Sequence, residues 1–259
     1  MGEARMGRGL LLLILTVSLA GAGSACAQSP AAQSRFEGWA AAVIAGDWRD
    51  GGGRPIDAFD NARRDVTKGL IEAGLPRESL VDYSLRPDAA DPVTAAEALA
   101  GVAEATSRTT RGCLLYFTSH GSPDGLVFGP AATITPAAMA VLVRQWCGTR
   151  PTVVIVSACY SGVFTTALAA PNRMILTAAR RDRTSFGCGA EETWPWFDGC
   201  IIESLPAATD FLALAAATRA CVARKEQAAG ITVPSEPQLF VGPEMQLRLP
   251  TLRFQRGAG

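Results

Sequence analysis

The chain has 259 residues, 48% hydrophobic and 19% charged, a globular composition that excludes wholesale disorder and coiled coil. Lys plus Arg is 24 and Asp plus Glu is 24, so the basic excess that a phosphate backbone demands is missing and no nucleic acid is expected as a partner. One histidine bars a two-imidazole metal site within the chain, and the 7 cysteines contain no Cys-x-x-Cys pair; no metal and no cofactor are expected.

The first element is a leader. Arg5 and Arg8 precede an apolar run over 10–20, and Ala25-Cys26-Ala27 offers small residues for cleavage before Gln28. This predicts a signal peptide over 1–27 and an exported protein, periplasmic or secreted. An uncleaved anchor and a lipid on Cys26 are the alternatives, and membrane contact is expected only through them. A flexible lead-in over 28–38 and a single domain over 39–259 follow. Export permits disulfides among the cysteines beyond the leader, Cys113, Cys147, Cys159, Cys188, Cys200 and Cys221. The oligomeric state is not legible.

Trp39 to Ala45 (WAAAVIA) reads as a buried strand, followed by a Gly-rich loop to Pro55. A helix over 59–73, a strand over 79–85 and a helix over 91–105 come next. The continuous apolar runs 113–118, 152–156 and 173–178 are strands. Thr135-Pro136 opens a helix through Trp146, a long helix spans 210–227, and Gln238 to Val241 closes the set. Alternating elements with doubly apolar middle strands indicate an α/β fold, a mainly parallel sheet covered on both faces.

The lone His120 directly follows the strand over 113–118, and Cys159 directly follows the strand over 152–156. Carboxyl ends of neighbouring parallel strands are where such sheets bind ligands. Cys and His together suit nucleophilic acyl transfer: a thiolate attacks, and the imidazole takes the thiol proton and returns it to the leaving amine. Gly121 and the backbone N–H of Cys159 are the expected oxyanion donors. A helix starting near Gly162 would turn its positive end toward the thiolate. A buried structural Cys and an ordinary His are the plain alternative.

Three blocks add a resemblance. Tyr116-Phe117-Thr118-Ser119-His120-Gly121-Ser122, Ser157-Ala158-Cys159-Tyr160-Ser161-Gly162, and the stretch from Leu176 to Cys188 resemble the histidine, nucleophile and pocket segments of legumain-like cysteine peptidases, the C13 family of the caspase-like clan. The likeness covers roughly 40–245 and is strongest over 112–190. It implies a caspase-like α/β/α sandwich with a mainly parallel six-stranded sheet, a peptide or protein substrate, and Cys159 and His120 as the catalytic pair. It also implies a substrate pocket drawing on Arg54, Ser157, Ser185 and Asp198. The chain departs from the family at Ser157 and Ser119, where legumains carry acids, and in reading Phe197-Asp198-Gly199 for Phe-Gly-Asp. No residue matches the Asn that orients the legumain histidine. Trp194 and Trp196 are read as packing under a loop or as an extended-site wall. Cys188 and Cys200 bracket a polar loop and form an expected disulfide, while Cys113, inside a strand, is expected as a buried thiol. A transamidase using the same dyad and a non-catalytic binding protein of the same fold are the rival functions.

Overall fold

The apolar runs become the centre of a six-stranded sheet. A computed structural model describes residues 1–3 and 34–255. The chain divides into two units, Met1–Ala32 and Gln33–Gly259, and everything below concerns the second. The expected leader, beyond its first three residues, lies outside the described residues, as do Cys26 and most of the lead-in.

In chain order the elements are β1 (Trp39–Ala45), α1 (Ala58–Glu72), β2 (Leu80–Ser84), α2 (Ala95–Ser107), β3 (Gly112–Thr118), β4 (Gly121–Ser122), β5 (Gly125–Val127), β6 (Thr133–Ile134), α3 (Pro136–Cys147), β7 (Thr152–Ser157), α4 (Val163–Leu168), β8 (Arg173–Thr177), α5 (Trp196–Ser204), α6 (Phe211–Ala228), β9 (Gln238–Val241) and α7 (Pro243–Arg248). The main sheet runs β2-β1-β3-β7-β8-β9, and β4, β5 and β6 form a small sheet of their own. All pairs of the main sheet are parallel except β8 with β9. The expected mainly parallel six-stranded sheet with helices on both sides is therefore the observed one.

Side chains of a strand alternate between faces. Leu114, Tyr116, Val153 and Ile155 pack in one core with Val66 and Leu70 of α1, Ile201 of α5 and Leu214 of α6. Cys113, Leu115, Phe117, Val154 and Val156 face the other core, with Val102 of α2, Met139 and Val143 of α3, and Phe164 of α4. Each large side chain removed from water contributes roughly 1.5–3 kcal/mol, so the two cores hold the central strands from both sides.

Helix starts follow local chemistry. The helix expected from residue 91 begins at Ala95, because Thr94 and Glu97 close a reciprocal capping box. Thr135 caps α3 by accepting from the Ala138 N–H, with Pro136 at the first turn.

Each core carries one disulfide. Cys113 of β3 joins Cys147 at the end of α3, and Cys200 of α5 joins Cys221 of α6. Both correct the sequence reading. Cys113 is bonded rather than a buried thiol. The expected Cys188–Cys200 bridge is absent, because Cys200 lies inside a helix that packs on α6, not at the end of a loop. Cys159 and Cys188 are free. Among the described residues no helix is long and apolar enough to cross a membrane.

Candidate active site

β3 and β7 are neighbours in register, with Thr118 opposite Ser157. The pairing continues one step further, as the Ser119 N–H donates to the Ser157 carbonyl at 3.0 Å. His120 is two residues past Thr118 and Cys159 two past Ser157, so the sheet delivers both to one edge at one level.

Gly121 ties the two turns together. A Cβ added there would lie 2.3 Å from the Cys159 carbonyl oxygen, so a side chain at 121 would push the two turns apart. The Val127 N–H donates to the His120 carbonyl at 2.9 Å, and Gly121 sits opposite Leu126 in the β4–β5 hairpin. Antiparallel pairs alternate in bonding, so the Gly121 N–H turns away from β5. Ser119, buried, anchors the hairpin by donating its hydroxyl to the Val127 carbonyl at 2.7 Å.

The His120 ring is held on two sides. Its Nε2 lies 2.7 Å from the Arg49 carbonyl oxygen. A carbonyl has no proton to give, so this assigns the proton to Nε2 and leaves the Nδ1 lone pair free as a base. Phe59 meets the ring edge-on at 4.9 Å. The Arg49 carbonyl is itself positioned by buried Asp47, which accepts from the Trp48 and Arg49 N–H groups at 2.7 and 3.2 Å and from Arg49 Nε at 2.8 Å. Sequence reasoning missed this orienting group, since a backbone carbonyl leaves no side-chain signature. The one signal available was an Asp opening a Gly-rich loop, a residue that tends to bond its own following backbone.

Cys159 is half-buried, and its described sulfur contacts are all to Ser185. Sγ accepts the Ser185 N–H at 3.3 Å and faces the Ser185 carbonyl at 3.5 Å and hydroxyl at 3.6 Å. The following residue, Tyr160, adopts a φ of 57°, rare for a bulky side chain, and its N–H donates to the Arg183 carbonyl at 2.7 Å. Such a conformation costs on the order of 1–3 kcal/mol and is sustained by its surroundings. It makes a sharp elbow between β7 and α4, which starts at Val163 as the sequence led one to expect.

The segment that carries Ser185 is docked on the start of α5. The Trp196 N–H donates to the Phe186 carbonyl at 3.0 Å, and Gly187, at φ 87°, passes so close that a Cβ would come 2.4 Å from the Trp196 ring. Trp196 packs against Phe186, and Trp194 donates its indole N–H to Asp65 at 2.8 Å.

The four expected pocket residues divide. Ser185 touches Cys159. Arg54 has an 80% exposed side chain and is held by Asp50, its Nε at 2.8 Å. The Arg54 N–H, ahead of its guanidinium, lowers the Asp50 carboxyl below the usual range. Ser157 and Asp198 lie together but inward. Asp198 is 0% exposed; it accepts from the Ser157 hydroxyl at 2.7 Å, from the Thr118 hydroxyl at 3.0 Å and from the Tyr116 hydroxyl. Burial pushes its carboxyl up to about 6 against the pull of those hydrogen bonds. The expectation that Asp198 completes a charged pocket is corrected: its oxygens are turned onto three hydroxyls of the protein and reach no solvent. Cys188 packs against Ala45, Ile56, Ala58 and Phe59, and burial pushes its thiol strongly up.

A trio of metal-ligand residue types, Cys200, Glu203 and Cys221, also occurs among the described residues, but its two sulfurs are bonded to each other.

Residues 97–199 match the Peptidase C13 family model. The matched segment runs from α2 into α5 and takes in His120, Gly121, Cys159, Ser185 and Asp198. The fold is similar to the crystal structure of caspase-1 from Spodoptera frugiperda, with a TM-score of 0.59, 13% identity, and coverage of 81% of this chain and 88% of that one. A search of the curated proteins gives no match. The legumain-like, C13 resemblance read from the three blocks is thus supported by a family model for the sequence and by a caspase-like neighbour for the fold. In this C13-like chain the strand-end pair stands where the nucleophile and histidine blocks of the resemblance lie.

Proposed function

We propose that the chain is an exported cysteine endopeptidase that hydrolyses peptide bonds after a polar residue, with Cys159 as nucleophile and His120 as general base and acid. The observation that carries this reading is the placement of His120 and Cys159 two residues past paired Thr118 and Ser157, with Gly121 against the Cys159 carbonyl.

His120 Nδ1 takes the thiol proton, since its Nε2–H is committed to the Arg49 carbonyl. The thiolate forms where the Ser185 N–H already points at sulfur. It adds to the scissile carbonyl, and the oxyanion is received by the N–H groups of Gly121 and Cys159. His120 then protonates the departing amine, leaving a thioester on Cys159. Water activated by His120 releases the acid product and restores the thiol. In the thiol form Cys159 faces Ser185; catalytic hydrogen bonds are often long in free enzymes and tighten only when substrate binds. Arg54, exposed in the loop after β1, is the group offered to a polar side chain before the cut.

The test is cleavage of a peptide library by wild type and Cys159→Ala. The wild type is expected to cut and the variant to be inactive. A variant that keeps full activity overturns the reading. Mostly ligated product on addition of an amine would make the chain a transferase.

A further inference from the structure

Four residues from three elements meet under the strand ends without exposing any charge. Tyr116 and Thr118 lie on one face of β3, Ser157 ends β7, and Asp198 sits in the first turn of α5. All four are buried, Asp198 fully. The three hydroxyls converge on the two carboxylate oxygens, Tyr116 on one and both Thr118 and Ser157 on the other. Among the described residues no cation pairs with the carboxylate. Lys225, which approaches the next residue, Gly199, is bound to Glu203 at 2.8 Å. The other titratable groups facing Asp198 are the Tyr116 hydroxyl and the Cys188 thiol. A buried carboxylate without a counter-ion is costly, and a helix N-terminus offsets only part of that cost. The arrangement is therefore expensive, and what it accomplishes is mechanical: one carboxylate oxygen bridges Thr118 and Ser157, the register pair from which His120 and Cys159 both depart.

We infer that Asp198 is a positioning residue for the Cys159–His120 pair: its carboxylate clamps the ends of β3 and β7 through Thr118 and Ser157, with Tyr116 fixing the carboxylate from below. This inference rests on the proposed dyad. The clamp is strongest when the carboxylate is ionised, because charge-assisted hydrogen bonds are the stronger kind. Protonation turns an acceptor oxygen into a donor, and one hydroxyl must turn away. Reactivity should therefore fall as Asp198 gains its proton.

The experiment is the alkylation rate of Cys159 by iodoacetamide from pH 5 to 8, read by peptide mapping so that Cys188 is scored separately. It requires no substrate. In wild type the rate is expected to carry a step near pH 6 in addition to the titration of the dyad itself. Asp198→Asn keeps one acceptor oxygen but cannot ionise. It should lose that step and react about 10-fold more slowly at pH 7.5, while melting no lower than wild type. Asp198→Ala should be slower still, about 100-fold, the scale on which misplacement of a reacting group is felt. If either variant fails to fold, Tyr116→Phe replaces it, with a smaller loss and a step moved to higher pH. Wild-type rates and an unchanged profile in Asp198→Asn, or in Tyr116→Phe where that replaces it, overturn the clamp. A wild-type Cys159 no more reactive than an ordinary thiol, and unaffected by His120→Ala, overturns the dyad instead.

Discussion

The ends of β3 and β7 and the loops around them follow different logics. At the strand ends, position is set by parallel register: Thr118 faces Ser157, and the residues two further on are delivered to one edge. In the loops over 46–55 and 179–195, position is set by individual polar contacts, such as Asp47 on Arg49, Asp50 on Arg54 and the Phe186 carbonyl on Trp196. The first arrangement leaves a trace in a single sequence, because an apolar run announces where a strand stops. The second leaves little, since each contact joins a residue to a partner that composition does not reveal.

Substitutions act on the two regions separately. Gly121→Ala attacks the strand ends, since its methyl meets the Cys159 carbonyl and would displace the N–H proposed as an oxyanion donor. Peptide cleavage is expected to fall about 10²–10³-fold, the range for loss of one such donor, with the melting temperature reporting the accompanying strain. Activity within 10-fold of wild type would remove Gly121 from the site.

The disulfides test whether the cores that hold those strands depend on cross-links. Closing loops of separation 34 and 21 is worth roughly 3–4 kcal/mol each in the chain-entropy account. Cys113→Ala with Cys147→Ala, and Cys200→Ala with Cys221→Ala, should each lower unfolding stability by that order in denaturant titrations. Both pairs should leave Cys159 reactive in the folded fraction.

Asp198 lies between the two regions and should separate stability from function. Its carboxyl titrates at about 6, above the unfolded value of about 3.9, so folding favours the protonated form. That stabilising preference is fully present below pH ~4 and is lost as pH rises through 6; above it the ionised group costs the fold on the order of 3 kcal/mol. Asp198→Asn is thus expected to melt higher than wild type at pH 7.5, with the gap closing toward pH 4. A variant that melts lower at both pH values would contradict the assignment of burial as the cause.

Arg54→Ala addresses a loop alone. Its exposed side chain contributes little to stability, within about 0.5 kcal/mol. The cleavage profile at the residue before the cut should change while the melting temperature does not. An unchanged profile would take Arg54 out of the pocket.

Much of the frame was legible for a physical reason. The central strands are apolar on both faces, and a chain that buries both faces of a strand has few alternatives to a covered parallel sheet. The same runs located His120 and Cys159. The small sheet β4–β6, α5 and α7 went unread, being too short or too irregular in pattern to show a period. The cysteine pairing was misjudged because Cys188 and Cys200 are close along the chain whereas Cys200 and Cys221 are close across two helices. Asp198 was placed in a pocket by resemblance, and only the three hydroxyls around it reveal that it faces inward. The Arg49 carbonyl had no side-chain signal at all.

If Cys159 is a nucleophile made reactive by His120, an electrophile should label it selectively. Intact-mass measurement of labelling by a peptidyl electrophile tests it most directly. Wild type should carry one adduct, mapped to Cys159, Cys159→Ala none, and labelling should be slowed at least about 100-fold in His120→Ala. An adduct on Cys188, or a His120→Ala protein labelled as fast as wild type, would contradict it.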